Sequence, residues 1–116
     1  MKVTKASEMK QIQEICAEKG KGILTLTKMS DYYDKPEKLR NFMLAELEPG
    51  ASVGYHVHNN ESESYYILSG EGIYNDDGEE IPVKTGDVTF TPDGHGHGIE
   101  NTGSEPLKFI ALIIRD

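Results

Sequence analysis

From Ile23 onward, turn-forming residues interrupt the chain about every 8–12 residues, a cadence that leaves room only for short strands. Between the interruptions stand runs rich in Val, Ile, Tyr, Phe and Thr, which suit a pleated, half-buried surface. They predict strands near 23–28, 41–47, 53–58, 64–69, 71–75, 79–83, 87–91, 97–101 and 107–114. The clearest break is Asp76-Asp77-Gly78, whose residue types tolerate the backbone of a tight hairpin turn. The last run, Leu107 to Ile114, is nearly continuous in apolar residues, which predicts a strand covered on both faces or one at a subunit interface. Asp31 to Lys38 is charged, contains Pro36 and reads as a loop or short helical turn. Ahead of the strands, residues 7–19 predict one helix, with Ser7 as N-cap, Met9, Ile12, Ile15 and Cys16 as an apolar stripe, and Gly20 as the stop. On that stripe Cys16 is expected to be a buried, inert thiol. On strand 41–47, Phe42 and Leu44 are expected to line the interior and Met43 and Leu47 the outside, a parity that alternation alone leaves open to reversal.

Within this framework two stretches carry chemistry. Gly50 to Gly70 reads G-x5-H-x-H-x4-E-x6-G and contains His56, His58 and Glu63; Gly86 to Asn101 reads G-x5-P-x-G-x2-H-x3-N and contains Pro92, Gly94, His97 and Asn101. His56 and His58 are two apart, so on an extended strand both rings point the same way. On a helix they would diverge by about 200°. Asn59-Asn60-Glu61-Ser62 suits a tight turn, and Glu63, Tyr65 and Ile67 then share one face of the returning strand, where the carboxylate is expected to meet the rings across a hairpin. Pro92-Asp93-Gly94 ends the strand before His97, because Pro lacks a donor and Gly tolerates positive φ. Three imidazoles and a carboxylate suit one divalent transition metal per chain, Mn, Fe, Ni, Co or Zn, with open positions for a ligand on a six-coordinate ion.

These two motifs resemble the paired signature of the cupin superfamily at every defining position. The resemblance implies an all-β, double-stranded β-helix (a jelly-roll barrel), here with the short N-terminal helix, and implies His56, His58, Glu63 and His97 as metal ligands inside it. The short stretch between the motifs resembles that of single-domain bacterial cupins. More narrowly, Tyr65 to Gly72 and His97 to Asn101 resemble small cupins described as oxalate-decarboxylase-related. Bacterial oxalate decarboxylases that the chain resembles carry an arginine three residues before the first motif histidine; this chain has Val53 there. Arg40 is a candidate to supply that charge from a neighbouring strand, although no spacing places it. Small cupin barrels usually pair, which together with the apolar 107–114 run predicts a homodimer.

Length predicts one domain, residues 1–116, with a helix/strand segment 1–40 ahead of a barrel 41–116. A net charge of −8 argues against nucleic acid and anionic membrane as partners, since both call for a basic patch. The single Cys16 forms no internal disulfide, and no run reaches membrane-spanning length; the expected location is the cytoplasm. A small molecule is the expected partner, a small carboxylate or a sugar. The chain then acts as an enzyme in which Glu61, His95 and Tyr65 are candidates for proton transfer, as a binding or sensor module without turnover, or as a sugar isomerase or epimerase. Glu61 lies close enough to Glu63 to compete as a ligand but breaks the motif spacing, and His95, in the Gly94-His95-Gly96-His97 turn, also reads as a solvated loop residue. Of the tyrosines near the site, Tyr65 shares a face with Glu63, while alternation turns about half of Tyr55, Tyr65 and Tyr66 outward.

Overall fold

The runs of β-branched and aromatic residues fold as ten strands in the computed structural model, which describes residues 2–116. In chain order they are β1 (Gln11–Ile15), β2 (Ile23–Lys28), β3 (Leu39–Leu47), β4 (Ser52–Val57), β5 (Glu61–Ser69), β6 (Glu71–Asp76), β7 (Glu79–Lys84), β8 (Val88–Thr91), β9 (Gly96–Glu100) and β10 (Leu107–Arg115). Six form one sheet in the order β1-β2-β3-β10-β5-β8, and four form a second in the order β4-β9-β6-β7. All pairings are antiparallel. The inner faces of the sheets bury one core, in which Leu47, Ile67, Leu107 and Phe109 are almost wholly enclosed. The nine strands expected from Ile23 onward are present, with shifted ends.

The helix expected over residues 7–19 is not there. Ala6–Glu8 and Ala17–Lys19 are short 3-10 turns, and Gln11–Ile15 between them is an edge strand paired with β2. The free edge of β2 offers this segment a ladder of backbone hydrogen bonds, and that tertiary partner overrides a modest helical pattern. The apolar stripe is not a buried one: Met9 is half-buried, Ile12 is 43% and Ile15 76% exposed, and Cys16 is exposed too, at a left-handed φ of 56°. Gly20 has a different role from a helix stop. A Cβ there would lie 2.2 Å from the Ser52 carbonyl oxygen, so glycine lets this turn lie directly on β4.

The parity of β3 is the reverse of that expected. Ala45 and Leu47 are core residues and Met43 packs against them, which turns Phe42 and Leu44 to the outer face. That outer face carries two registered rows that are apolar except at Ser64: Leu44, Ile110, Tyr66 and Val88 in one, Phe42, Leu112, Ser64 and Phe90 in the next. At the edge, Val88 is 71% and Phe90 59% exposed. Among the described residues no helix is long and apolar enough to cross a membrane.

Candidate metal centre

A bulge sets the direction of the first two histidines. Val53 pairs with Ile99 and His56 with His97, so three steps along β4 match two along β9. The extra residue lies at Gly54-Tyr55. Strict alternation from inward-facing Val53 would turn His56 out; the bulge reverses the phase, so that His56 and His58 point in while Tyr55 and Val57 are exposed. Gly54 is required in this bulge, because a Cβ would sit 2.1 Å from the Glu18 carbonyl oxygen. Beyond the strand, His58 is held by the turn from the second motif: its N–H donates to the His95 carbonyl at 3.0 Å, and its carbonyl accepts from Gly94 N–H at 2.8 Å.

Glu63 comes from the opposite sheet, and here the expected hairpin is corrected. β4 and β5 lie in different sheets, so the carboxylate reaches the rings across the barrel interior instead of along a shared ladder. Glu63 Oε1 stands 2.9 Å from His58 Nε2 and 2.8 Å from His97 Nε2, and the two Nε2 atoms are 3.1 Å apart. One donor atom from each of His56, His58, Glu63 and His97 lies within 4.8 Å of the others. Ligands about 2.1 Å from one ion sit about 3 Å apart when adjacent, so the donor set fits a transition metal.

The ring orientations favour the same use. His56 Nδ1 donates to the Gly54 carbonyl at 2.8 Å, and His58 Nδ1 donates to the Glu61 carboxylate at 2.6 Å. His97 Nδ1 meets the Tyr74 hydroxyl at 2.7 Å, and that hydroxyl is also 2.7 Å from Thr91 Oγ1. With every Nδ1 engaged outside the cluster, the Nε2 lone pairs turn toward the centre. The metal-free electrostatics reflect this crowding. The hydrogen bond to Glu63 raises the His58 pKa despite burial, whereas burial lowers that of His97. Burial pushes the Glu63 carboxyl up, but its hydrogen bonds from His58 and His97 prevail and the net shift is downward.

The cluster opens on a cavity of about 230 Å³. Val53, Tyr65 and Met43 are among its walls, and Lys28, Arg40 and Asn41 among its polar lining. Tyr65 is buried and stacks on His97 with ring centres 4.9 Å apart; burial holds its hydroxyl pKa well above the usual value. Glu61 is occupied twice, accepting from His58 and from Arg40 Nη1, the latter at 2.7 Å. It lies one residue layer behind the cluster and is absent from the four convergent donors. The His95 ring is half exposed and turned away from the cavity, with Nδ1 2.9 Å from Asp77 on the β6–β7 hairpin. Tyr55 and Tyr66 face outward. Sequence reasoning missed Tyr74 and Thr91; both occupy inward positions of predicted strands, a signal that alternation could have supplied.

Comparisons with known proteins agree with this architecture. A cupin domain family matches residues 43–113. An oxalate-binding protein of Thermotoga maritima is 46% identical over 95 residues, covering 82% of this chain and 78% of its own. The crystal structure of a T. maritima protein described as a predicted oxalate decarboxylase superposes with a TM-score of 0.89 at 39% identity, covering 99% of this chain and 100% of that one. An oxalate decarboxylase of Bacillus subtilis is 36% identical over 78 residues, 63% of this chain but only 20% of that longer protein. With its motifs, its two-sheet barrel and its convergent histidines thus accounted for, the chain belongs to the cupin family.

Proposed function

We propose that this protein binds one divalent transition metal through His56, His58, Glu63 and His97 and uses it to hold a small carboxylate, oxalate being the first candidate. The observation that carries the reading is the convergence of three imidazole nitrogens and one carboxylate within 4.8 Å of one another, those of His58, Glu63 and His97 about 3 Å apart, at the floor of a cavity with room for a small molecule. Such a crowd of lone pairs calls for a cation, and an ion held by four protein ligands keeps positions free for ligand oxygens. When bound, the ion supplies Lewis acidity and a template. The name of the T. maritima relative supports oxalate.

Capture without turnover is the reading that the surrounding side chains favour. Glu61 is engaged by Arg40 and His58, the Tyr65 hydroxyl keeps its proton, and His95 faces Asp77 outside the cavity. None of the three presents a free proton-transfer group to the cavity. Elemental analysis of the purified protein should find about one transition-metal ion per chain, and oxalate added to the Mn-loaded protein should bind and be recovered unchanged. Carbon dioxide or formate release would replace capture by decarboxylation, and absence of binding would remove oxalate.

The same proposal includes a homodimer formed by the apolar outer face of the six-stranded sheet. Its exposed Val88 and Phe90 continue two rows of apolar side chains, a surface that a second copy would cover.

A further inference from the structure

Arg40 breaks the alternation of its strand. Along β3, Asn41, Met43 and Ala45 line the cavity, and the even-numbered Phe42 and Leu44 lie on the other face. Regular pleating would send Arg40 outward with them. Instead, Asn41 and Leu39 pair with the consecutive residues Ile113 and Ile114 of β10, which leaves Arg40 as the extra residue of a bulge. A bulge re-aims the side chain it carries. Here it turns the guanidinium inward, where Arg40 lines the cavity and bonds Glu61.

The placement gives the cavity a second pole. At its floor lie His56, His58 and Glu63; at its rim the guanidinium is separated from that cluster by the Glu61 carboxylate and the His58 ring. Glu61 occupies one Nη1 donor, and a guanidinium has five N–H groups. The remaining donors form the planar fork that matches a carboxylate. Lys28 lines the same cavity and has no ion-pair partner among the described residues; the carboxylates of Glu14 and Glu18 line it too, so the pull on an anion is local to Arg40 and Lys28. The cavity volume, about 230 Å³, corresponds to roughly eight waters at ~30 Å³ each, enough for a two- to four-carbon diacid.

We propose that Arg40 is a specificity-determining anchor: it pairs with a carboxylate of a ligand whose other end lies at the four-residue cluster, and so selects two-ended small carboxylates over one-ended ones. This rests on the metal and carboxylate reading given above. The Glu61 carboxylate holds the fork in place before the ligand arrives, which lowers the ordering cost of capture.

Calorimetric titration separates the two levels. Mn(II) is titrated first into the wild-type chain, Arg40→Gln and Arg40→Lys, and then oxalate, malonate, succinate or acetate into each loaded protein. Arg40→Gln should take up Mn(II) within about threefold of wild type yet bind the best of the diacids about tenfold more weakly, with acetate unaffected. Arg40→Lys, which keeps the charge and loses the fork, should recover part of the loss. Diacid affinity equal to wild type in Arg40→Gln would overturn the anchor and leave the metal reading standing. Loss of Mn(II) affinity in step with diacid affinity would make Arg40 a positioning residue for His58 and overturn it as well. A wild-type chain that takes up no Mn(II), or binds no carboxylate when loaded, would remove the underlying reading and the anchor with it.

Discussion

At the residue scale, each histidine of the cluster has an outer partner at Nδ1, and His58 and His97 also meet Glu63 inside. The outer partner fixes the tautomer and the ring plane, so it tunes the inner bond without touching an ion. Tyr74 is the outer partner of His97, and replacing it by Phe removes the hydroxyl that meets Nδ1. Tyr74→Phe should lower metal affinity about tenfold or more, read by competition with a chromophoric chelator, while the barrel stays folded. Protons compete for the same nitrogens. The Glu63 hydrogen bond holds the metal-free His58 above its ordinary 6.5, so the stability it contributes is complete below 6.5 and lost as pH rises through the folded value. For Glu63 the sign is opposite. Its carboxyl lies below 4.5, and its contribution is present above 4.5 and lost as pH falls through the folded value. A metal must displace the His58 proton, so loading should already weaken on the alkaline side of 6.5 and fall steeply below it. Protein dialysed at pH 5 should retain far less metal than protein dialysed at pH 7.5; equal content by elemental analysis would contradict the assignment.

At the scale of elements, strands were legible where turn chemistry bounded them. Asp77 and Gly78 adopt φ of 53° and 100° in the β6–β7 hairpin, as the residue types at that turn demand. Bulges were not legible. In Val53-Gly54-Tyr55-His56 only the glycine hints at an extra residue, and it does not fix the phase, so the inward turn of His56 followed from the His-x-His pattern and not from strand phase. The same blindness hid Arg40. The false N-terminal helix has another cause: its stripe of Met9, Ile12 and Ile15 satisfies a helical period, and only the unpaired edge of β2, invisible along the chain, draws the segment into a sheet. The second motif was read for His97, yet its last residue is as consequential for the fold. Asn101 is buried; its amide donates to the carbonyls of Leu47 and Glu105, and its carbonyl accepts from Gly103 N–H. Asn101→Ala removes all three bonds and should cost about 2–3 kcal/mol in urea unfolding.

At the scale of the whole molecule, two surfaces govern behaviour. The outer face of the six-stranded sheet is the proposed contact between copies, and Phe90 lies at its exposed edge. Light scattering at micromolar concentration should give a dimer mass for the wild type and a monomer mass for Phe90→Lys; a wild-type monomer would refute the pairing. The inner surface carries the second prediction. Three of the four proposed ligands belong to the four-stranded sheet and its flanking turn, and Glu63 belongs to the other sheet. An ion binding only the folded chain, present free at a hundred times its Kd, adds about 2.7 kcal/mol. For a domain of this size that is a rise of roughly 10 °C in Tm, which a chelator should reverse in a calorimetric scan. Because Glu63 is the one proposed ligand on its side of the barrel, the ion would act as a rivet between two layers that are otherwise joined by apolar packing, connecting loops and a few hydrogen bonds such as Tyr74 to Thr91 and His58 to Glu61. Prying the halves apart at this point would mean breaking the bond to that carboxylate as well, so breathing of the barrel, protease access and ligand escape would all slow when the ion is held.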